Sequence, residues 1–317
     1  MFNWCFIGAG KIADIVANDM VKSKINRVFS VWNRTYEKSI KFAEKYHAKV
    51  YKNVEEALND PLVDGVYIAL TNDLHFEYMK KCIEHHKPVL CEKPFTMNKK
   101  EAIEIFELAK KNAVYVSEAM WTWHNKCAYQ VKDWLKDIGP IKEVECAFSF
   151  IGVSKEFAIE RLINPNMLGG ALLDIGVYGL RYSLELFGMP KEIRCSGDVS
   201  SGVDLNEEVL FIYDGFTVKH SFAVNQDFGI YYRIKGERGF IDAPSFHATK
   251  EVILKKEKRV VIKDKNNLYE TQFANVAKEI QDGLFESRII TKEKTILCME
   301  LMDECRRQMG LLFPKEK

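Results

Sequence analysis

The 317-residue chain is long enough for two ordinary domains, each with its own core. Its 46 basic and 45 acidic side chains nearly cancel, so no molecular field argues for nucleic acid or an anionic membrane surface as partner. Eight cysteines scattered singly, in neither C-x-x-C nor Cys/His metal spacing, argue against a disulfide framework and offer no metal site. With no signal-like leader and no span of membrane length in view, the expectation is a cytoplasmic protein.

In chain order, short apolar runs at 4–7, 28–32, 65–69, 89–91 and 114–116 predict buried strands. Amphipathic stretches at 12–21, 37–46, 75–85 and 101–110 predict helices between them, with Thr35 the expected N-cap of the second. That alternation predicts an N-terminal Rossmann domain over 1–119, built on a doubly wound parallel sheet. The pattern changes near Glu118. Met120-Trp121-Thr122-Trp123-His124 leads into a helix at 129–136 and a period-2 strand at 142–151. A helix at 170–187 precedes strands at 192–197, 208–213, 217–224, 231–234, 240–242, 252–255 and 260–262. Helices at 268–282 and 292–309 close the chain. Residues 120–317 are therefore expected to form an α+β substrate and dimerisation domain with a large, mostly antiparallel open sheet.

Four motifs carry chemistry. Gly8-Ala9-Gly10-Lys11-Ile12-Ala13 is a G-x-G-x-x-A between the first strand and the first helix. Gly8 suits the tight turn, Gly10 lets backbone approach a pyrophosphate at the helix N-terminus, and Ala13 permits close helix–strand packing. The second strand ends in Asn33-Arg34, where an NAD site would place a carboxylate for the ribose 2′-hydroxyl. A guanidinium suits a 2′-phosphate instead, so the sequence favours NADP over NAD. Glu92-Lys93-Pro94 ends the strand at 89–91, where ligands of doubly wound sheets bind; a surface lysine in a turn is the plainer alternative. Asp174 and Tyr178, four apart on an apolar helix, share a face. Asp174 suits a substrate hydroxyl and Tyr178 suits proton exchange, provided nearby positive charge, with Lys93 the candidate, draws its pKa below about 10. A core tyrosine is the alternative. Trp121, Trp123, Phe150 and Phe246 are candidates for an apolar, ring-binding pocket, or for core.

Together these motifs resemble the glucose–fructose oxidoreductase / inositol 2-dehydrogenase / MocA family along nearly the whole chain. The runs 118–122, 161–178 and 234–244 and the tail 305–310 look most like its dimeric trans-dihydrodiol / D-xylose dehydrogenase branch. The resemblance implies Lys93 as the essential lysine of the family's Glu-Lys-Pro triplet and Tyr178 as general acid/base. It places Leu70, Thr71, Asn72 and His75, with Glu92, around the cofactor, and Arg161 with the substrate. The chain departs from the family pattern at Leu70-Thr71, where Thr-Pro is usual, at Trp123, where the branch carries arginine, and at Gly179, where proline is usual. The implied activity is an NADP(H)-dependent dehydrogenase or reductase of a sugar, polyol, cyclic diol or dicarbonyl, working as a homodimer or higher homo-oligomer. Two rivals are an NAD-dependent inositol-type dehydrogenase and a non-catalytic nucleotide-binding sensor. Asn33-Arg34 opposes the first, and the presence of both Lys93 and Tyr178 opposes the second.

Overall fold

The computed structural model describes residues 1–156 and 158–316. The chain divides into two compact units, Met1–His124 with Asn266–Thr295, and Asn125–Lys265 with Ile296–Lys317.

In the first unit β1 (Phe2–Ile7), α1 (Lys11–Met20), β2 (Asn26–Trp32), α2 (Tyr36–Tyr46), β3 (Lys49–Val50) and α3 (Val54–Asn59) come first. They are followed by β4 (Gly65–Ile68), α4 (His75–Glu84), β5 (Val89–Cys91), α5 (Lys99–Asn112) and β6 (Val116–Glu118). All six strands run parallel in the order β3-β2-β1-β4-β5-β6. The chain winds one way from β1 to β3 and the other way from β4 to β6, so the crevice for a ligand opens beyond the ends of β1 and β4. Both faces of β1 are covered, which is why Trp4, Cys5, Phe6 and Ile7 are uniformly apolar and lack exposed surface.

Three details differ from the sequence expectation. The pair β3 and α3 was not foreseen, although Asn53 and Glu56 form a recognisable cap: Asn53 Oδ1 accepts from the Glu56 N–H at 2.9 Å, and Glu56 Oε2 accepts from the Lys52 N–H at 3.2 Å. Thr35 does occupy the N-cap of α2, but its side chain makes no capping bond. The strand expected at 114–116 begins two residues later, because Ala113 takes a left-handed conformation and the Val114 N–H bonds back to the Ala109 carbonyl at 3.0 Å.

The second unit holds α6 (Lys126–Ile138), β7 (Ile141–Ile151), α7 (Glu160–Ile163) and α8 (Val177–Phe187). Then come β8 (Glu192–Asp198), β9 (Asn206–Ile212), β10 (Thr217–Ala223), β11 (Asn225–Gly236), β12 (Phe240–Pro244), β13 (Glu251–Lys255) and β14 (Arg259–Lys263). These eight strands form one sheet ordered β14-β13-β12-β11-β7-β10-β9-β8, antiparallel except where β7 pairs with β10. Its inward positions include the fully buried Phe211, Phe222 and Tyr232, while Glu208, Lys219, Glu143 and Lys235 alternate outward in cross-strand ion pairs of 3.2 and 3.9 Å. The helix expected at 170–187 is not uniform: Leu172–Gly176 is a turn of π-helix, and regular α8 starts only at Val177.

The closing helices are α9 (Leu268–Gln281) and α10 (Lys292–Met309). The segment carrying α9 groups with the first unit, and its aromatic face shows why. Phe273 is fully buried, edge-on to Trp4 at 4.9 Å and to Tyr67 at 5.1 Å, and Tyr269 stacks on Trp121 at 4.6 Å. Tyr115 donates to the buried Glu279 carboxylate at 2.6 Å. Among the described residues no helix is long and apolar enough to cross a membrane.

The Phe273→Ala substitution removes an aromatic ring from the core of the first unit and should cost about 3–5 kcal/mol. Urea unfolding of the variant followed by tryptophan fluorescence, with Trp4 beside the cavity, measures that loss; a change below about 1 kcal/mol would show that α9 is not part of this core.

Candidate active site

The nucleotide-facing part of the first unit rests on backbone geometry that glycine alone accepts. Gly8 has φ +111°, and a Cβ there would lie 2.5 Å from the carbonyl oxygen of Ala69 at the end of β4. Its N–H donates to the Trp32 carbonyl at 2.8 Å, so three strand ends meet at this residue. Gly10, the N-cap of α1, is extended, and a Cβ there would meet nothing within 4 Å. That open side, at a helix start whose first N–H groups lack intrahelical partners, fits a pyrophosphate. Ala9 is half-buried, Lys11 exposed, and Ile12 half-buried behind the turn.

The Asn33 side chain bonds to main chain in the glycine turn and just past the end of β2. Its Oδ1 accepts the Ala9 N–H at 3.2 Å and its Nδ2 donates to the Thr35 carbonyl at 3.0 Å. The carboxamide therefore ties the glycine turn to the end of β2. Arg34 next to it is exposed and, among the described residues, forms no hydrogen bond or ion pair.

At the ends of β4 and β5 the structure joins two expected clusters. His75 is fully buried at the start of α4, with Nδ1 2.9 Å from the Pro94 carbonyl and Nε2 3.2 Å from that of Leu70. Burial lowers its pKa while the two carbonyls oppose that shift; the ring lies between the half-buried Leu70, Thr71 and Asn72 loop and the Lys93–Pro94 turn, and when neutral it can donate to only one of the two carbonyls. Both ring nitrogens face main-chain carbonyls. Glu92 is buried too: Tyr67 donates its hydroxyl to Oε1 at 2.6 Å, and the Lys93 N–H reaches Oε2 at 3.3 Å. Burial raises the Glu92 pKa while the Lys93 ammonium works against that shift. Lys93 itself is half-buried at the end of β5, and the Lys93–Pro94 peptide bond is cis.

The second unit gathers Arg161, Asp174 and Tyr178. Arg161 forks onto the Asp174 carboxylate, Nη1 to Oδ1 at 2.8 Å and Nη2 to Oδ2 at 3.2 Å. Asp174 lies in the π turn with 8% of its surface exposed, and Tyr178 lies in the first turn of α8 with 6%. Burial works against the Arg161 charge, and the Asp174 carboxylate more than offsets it. The Tyr178 ring sits 5.9 Å from Phe148 and 5.6 Å from His247, which themselves pack at 4.4 Å. Neither Phe148 nor His247 was anticipated; nothing marked Phe148 among the strand residues, and His247 sits in a short turn after β12 with no sequence partner.

The aromatic residues expected at a ring-binding pocket fall in both units. Trp121 and Trp123 group with the first unit, whereas Phe150 and Phe246 belong to the second. Phe246 has no exposed surface and packs edge-on to Phe148, Tyr182 and Tyr232, so it braces Phe148 from behind. Phe150 is half-buried beside Gly152, its ring 2.6 Å from where a Cβ on that glycine would stand.

Comparison with known proteins agrees with this architecture. Residues 2–120 match the GFO/IDH/MocA model of an oxidoreductase family with an NAD-binding Rossmann fold, and residues 130–242 match that family's C-terminal domain. The chain is 29% identical to a scyllo-inositol 2-dehydrogenase (NADP(+)) of Bacillus subtilis, with all of both chains covered. It is also 29% identical to the trans-1,2-dihydrobenzene-1,2-diol dehydrogenase of Mus musculus, over 99% of this chain and 98% of that one. The 3-ketoreductase KijD10 of Actinomadura kijaniata, solved with NADP and TDP-benzene, superposes with a TM-score of 0.88 at 21% identity over 97% and 98% of the two chains.

Two neighbouring glycines make a contrasting pair. Gly8→Ala forces a side chain into positive φ and onto Ala69, and should destabilise the protein by about 1–3 kcal/mol or more. Gly10→Ala should leave the melting temperature unchanged and weaken dinucleotide binding in a fluorescence titration. Equal thermal stability of the two variants would contradict the difference in crowding.

Proposed function

The chain belongs to the GFO/IDH/MocA oxidoreductase family, and from that premise we propose that it is an NADP(H)-dependent oxidoreductase that interconverts carbinol and carbonyl carbons of a sugar, polyol, cyclic diol or dicarbonyl. The observation that carries this reading is that an arginine-held carboxylate, Asp174 with Arg161, and the Tyr178 phenol in its aromatic surround follow one another along the same helical segment. A carboxylate with fixed orientation offers hydrogen-bond acceptors to a substrate hydroxyl, and the phenol offers a proton. The preference for NADP is supported by the unpaired Arg34 beside the glycine turn and by the absence of a carboxylate at 33–35. The NADP(+) in the name of the Bacillus relative points the same way.

Bound NADP(H) supplies or accepts the hydride. In the reducing direction Tyr178 gives its phenolic proton to the carbonyl oxygen as negative charge develops there. Lys93, the lysine of the Glu-Lys-Pro triplet, is the candidate for electrostatic stabilisation of the negative charge that develops on the substrate. Asp174 accepts from a neighbouring substrate hydroxyl, and Arg161 keeps the carboxylate in register. Phe148 and Phe150 provide apolar surface for the carbon face of a ring. Oxidation follows the same path reversed, with Tyr178 taking the hydroxyl proton.

The same reading places the enzyme in the cytoplasm and makes it a homodimer or higher homo-oligomer joined through the sheet of the second unit. A monomer by light scattering would remove that part of it.

For the chemistry, Tyr178→Phe and Lys93→Met should each lower turnover by about 10²- to 10⁴-fold while NADP binding persists. The measurement is absorbance of the reduced nicotinamide with a panel of sugars, inositols and trans-dihydrodiols, using NADP and NAD in parallel. Full activity in the Tyr178→Phe variant would refute the acid/base role; a preference for NAD would refute the cofactor assignment.

A further inference from the structure

Asp204 and Glu207 are two acidic side chains of the second unit with essentially no exposed surface, and neither belongs to the machinery described above. They flank the start of β9 and press on the π turn that precedes α8. Asp204 Oδ2 accepts the Leu172 N–H at 2.5 Å, and the Asp204 main-chain carbonyl accepts the Ala171 N–H at 2.8 Å. Gly170, at φ +112°, runs so close that any Cβ there would collide with Asp204 Oδ1. At the other end of the turn, a Cβ on Gly176 would lie 3.2 Å from Glu207 Oε1. The two carboxyls thus bracket the five residues Leu172–Gly176, in whose middle lies Asp174 and directly after which comes the turn bearing Tyr178.

Asp204 Oδ1 and both oxygens of Glu207 have no donor among the described residues. Three buried acceptors facing no donor would cost several kcal/mol if both groups were ionised. Each carboxyl acts on the proton affinity of the other. The other ionisable groups acting on Glu207 are the thiols of Cys195 on β8 and Cys305 on α10 and, from the outward face of β9, Glu208, none of which brings positive charge. A single proton on Glu207 supplies the missing donor and removes the like-charge repulsion at once.

We propose that Asp204 and Glu207 share one proton and act as positioning residues, clamping the π turn so that Asp174 and Tyr178 keep their mutual orientation. The clamp rests on the catalytic reading of Tyr178 given above; the shared proton does not. Burial and the neighbouring carboxylate push Glu207 well above its ordinary 4.5, and burial raises Asp204 as well. The linkage has a definite sign. Stabilisation by the protonated pair is complete below the ordinary carboxyl range and is lost as pH rises through the raised value. Carboxylates tied into salt bridges give the opposite slope.

The shared proton is tested first, without substrate. Infrared difference spectra of the wild type against Glu207→Gln at neutral pH should show a protonated-carboxyl C=O band only in the wild type. The wild-type melting temperature should also fall relative to that of Glu207→Gln as pH increases. Absence of the band together with parallel melting curves overturns the shared proton whatever the enzyme turns over. The clamp is tested by kinetics on the folded protein. Asp204→Ala should lower kcat by about 10- to 100-fold, as expected for a displaced catalytic group, with KM for NADP unchanged. Glu207→Leu should behave in the same way. Glu207→Gln, whose amide still donates to Asp204, should remain near wild type and lose the pH dependence that titration of the pair produces. If Asp204→Ala does not fold, the comparison of Glu207→Leu with Glu207→Gln carries the test. Undiminished kcat in Asp204→Ala or Glu207→Leu, with Tyr178→Phe inactive, overturns the clamp. An active Tyr178→Phe variant overturns the catalytic reading and leaves the infrared result standing.

Discussion

The first unit is organised around the contact between Gly8 and the end of β4. At Gly8 the chain must leave the central strand, turn with a positive φ, and pass within van der Waals range of the Ala69 carbonyl while its N–H holds Trp32. Strands β1, β2 and β4 therefore end at one point, and the start of α1 is aimed across their carboxyl ends. Everything that reads as nucleotide-facing in this unit follows from that crossing: the open side of Gly10, the Asn33 tie, and the solvent-facing Arg34. The general rule for doubly wound sheets, that ligands sit where the winding reverses, has here a specific steric cause.

Charge burial follows one rule through most of the molecule. Glu92 is served by Tyr67, Glu118 by Thr295, Glu279 by Tyr115 and the Arg288 N–H, and Asp174 by Arg161. Each of these carboxylates has a donor aimed at it, as desolvation demands. Tyrosine hydroxyls are the preferred donors in the first unit, where they couple a strand to its neighbour or to α9. The pair Asp204 and Glu207 departs from this pattern, and the departure sits beside the irregular turn from which Asp174 projects. π-Turns recur where a helix has been adjusted for function, and this one lies between two glycines that leave room for acidic neighbours.

Aromatic packing sets the rest. Phe273, Trp4, Phe6 and Tyr67 form the centre of the first unit, and Phe148, Phe246, Tyr182 and Tyr232 form a second group behind Tyr178. In that second group edge-on contacts of Phe246 back the Phe148 ring, which lies 5.9 Å from Tyr178, while His247 approaches the same phenol ring at 5.6 Å.

Local information alone carried a large part of this account. Runs of β-branched and aromatic residues with helical spacing between them specify a parallel sheet, because short-range periodicity reports which faces are buried. The glycine turn, the Glu-Lys-Pro triplet and the Asp174–Tyr178 spacing are contiguous motifs, legible for the same reason. What the sequence could not contain is pairing across long separations. That Asn33 would face Ala9, that His75 would close on Pro94, and that Arg161 would fork onto Asp174 depends on loops brought together by the sheet. That residues near 270 would complete a core begun at residue 4 depends on a return of the chain that no local pattern announces. The π turn belongs to the same class: 170–187 reads as one helix by periodicity, and only the pressure of Asp204 and Glu207 from a distant strand goes with its break into two. Periodicity records which side of an element is buried; it does not record what buries it.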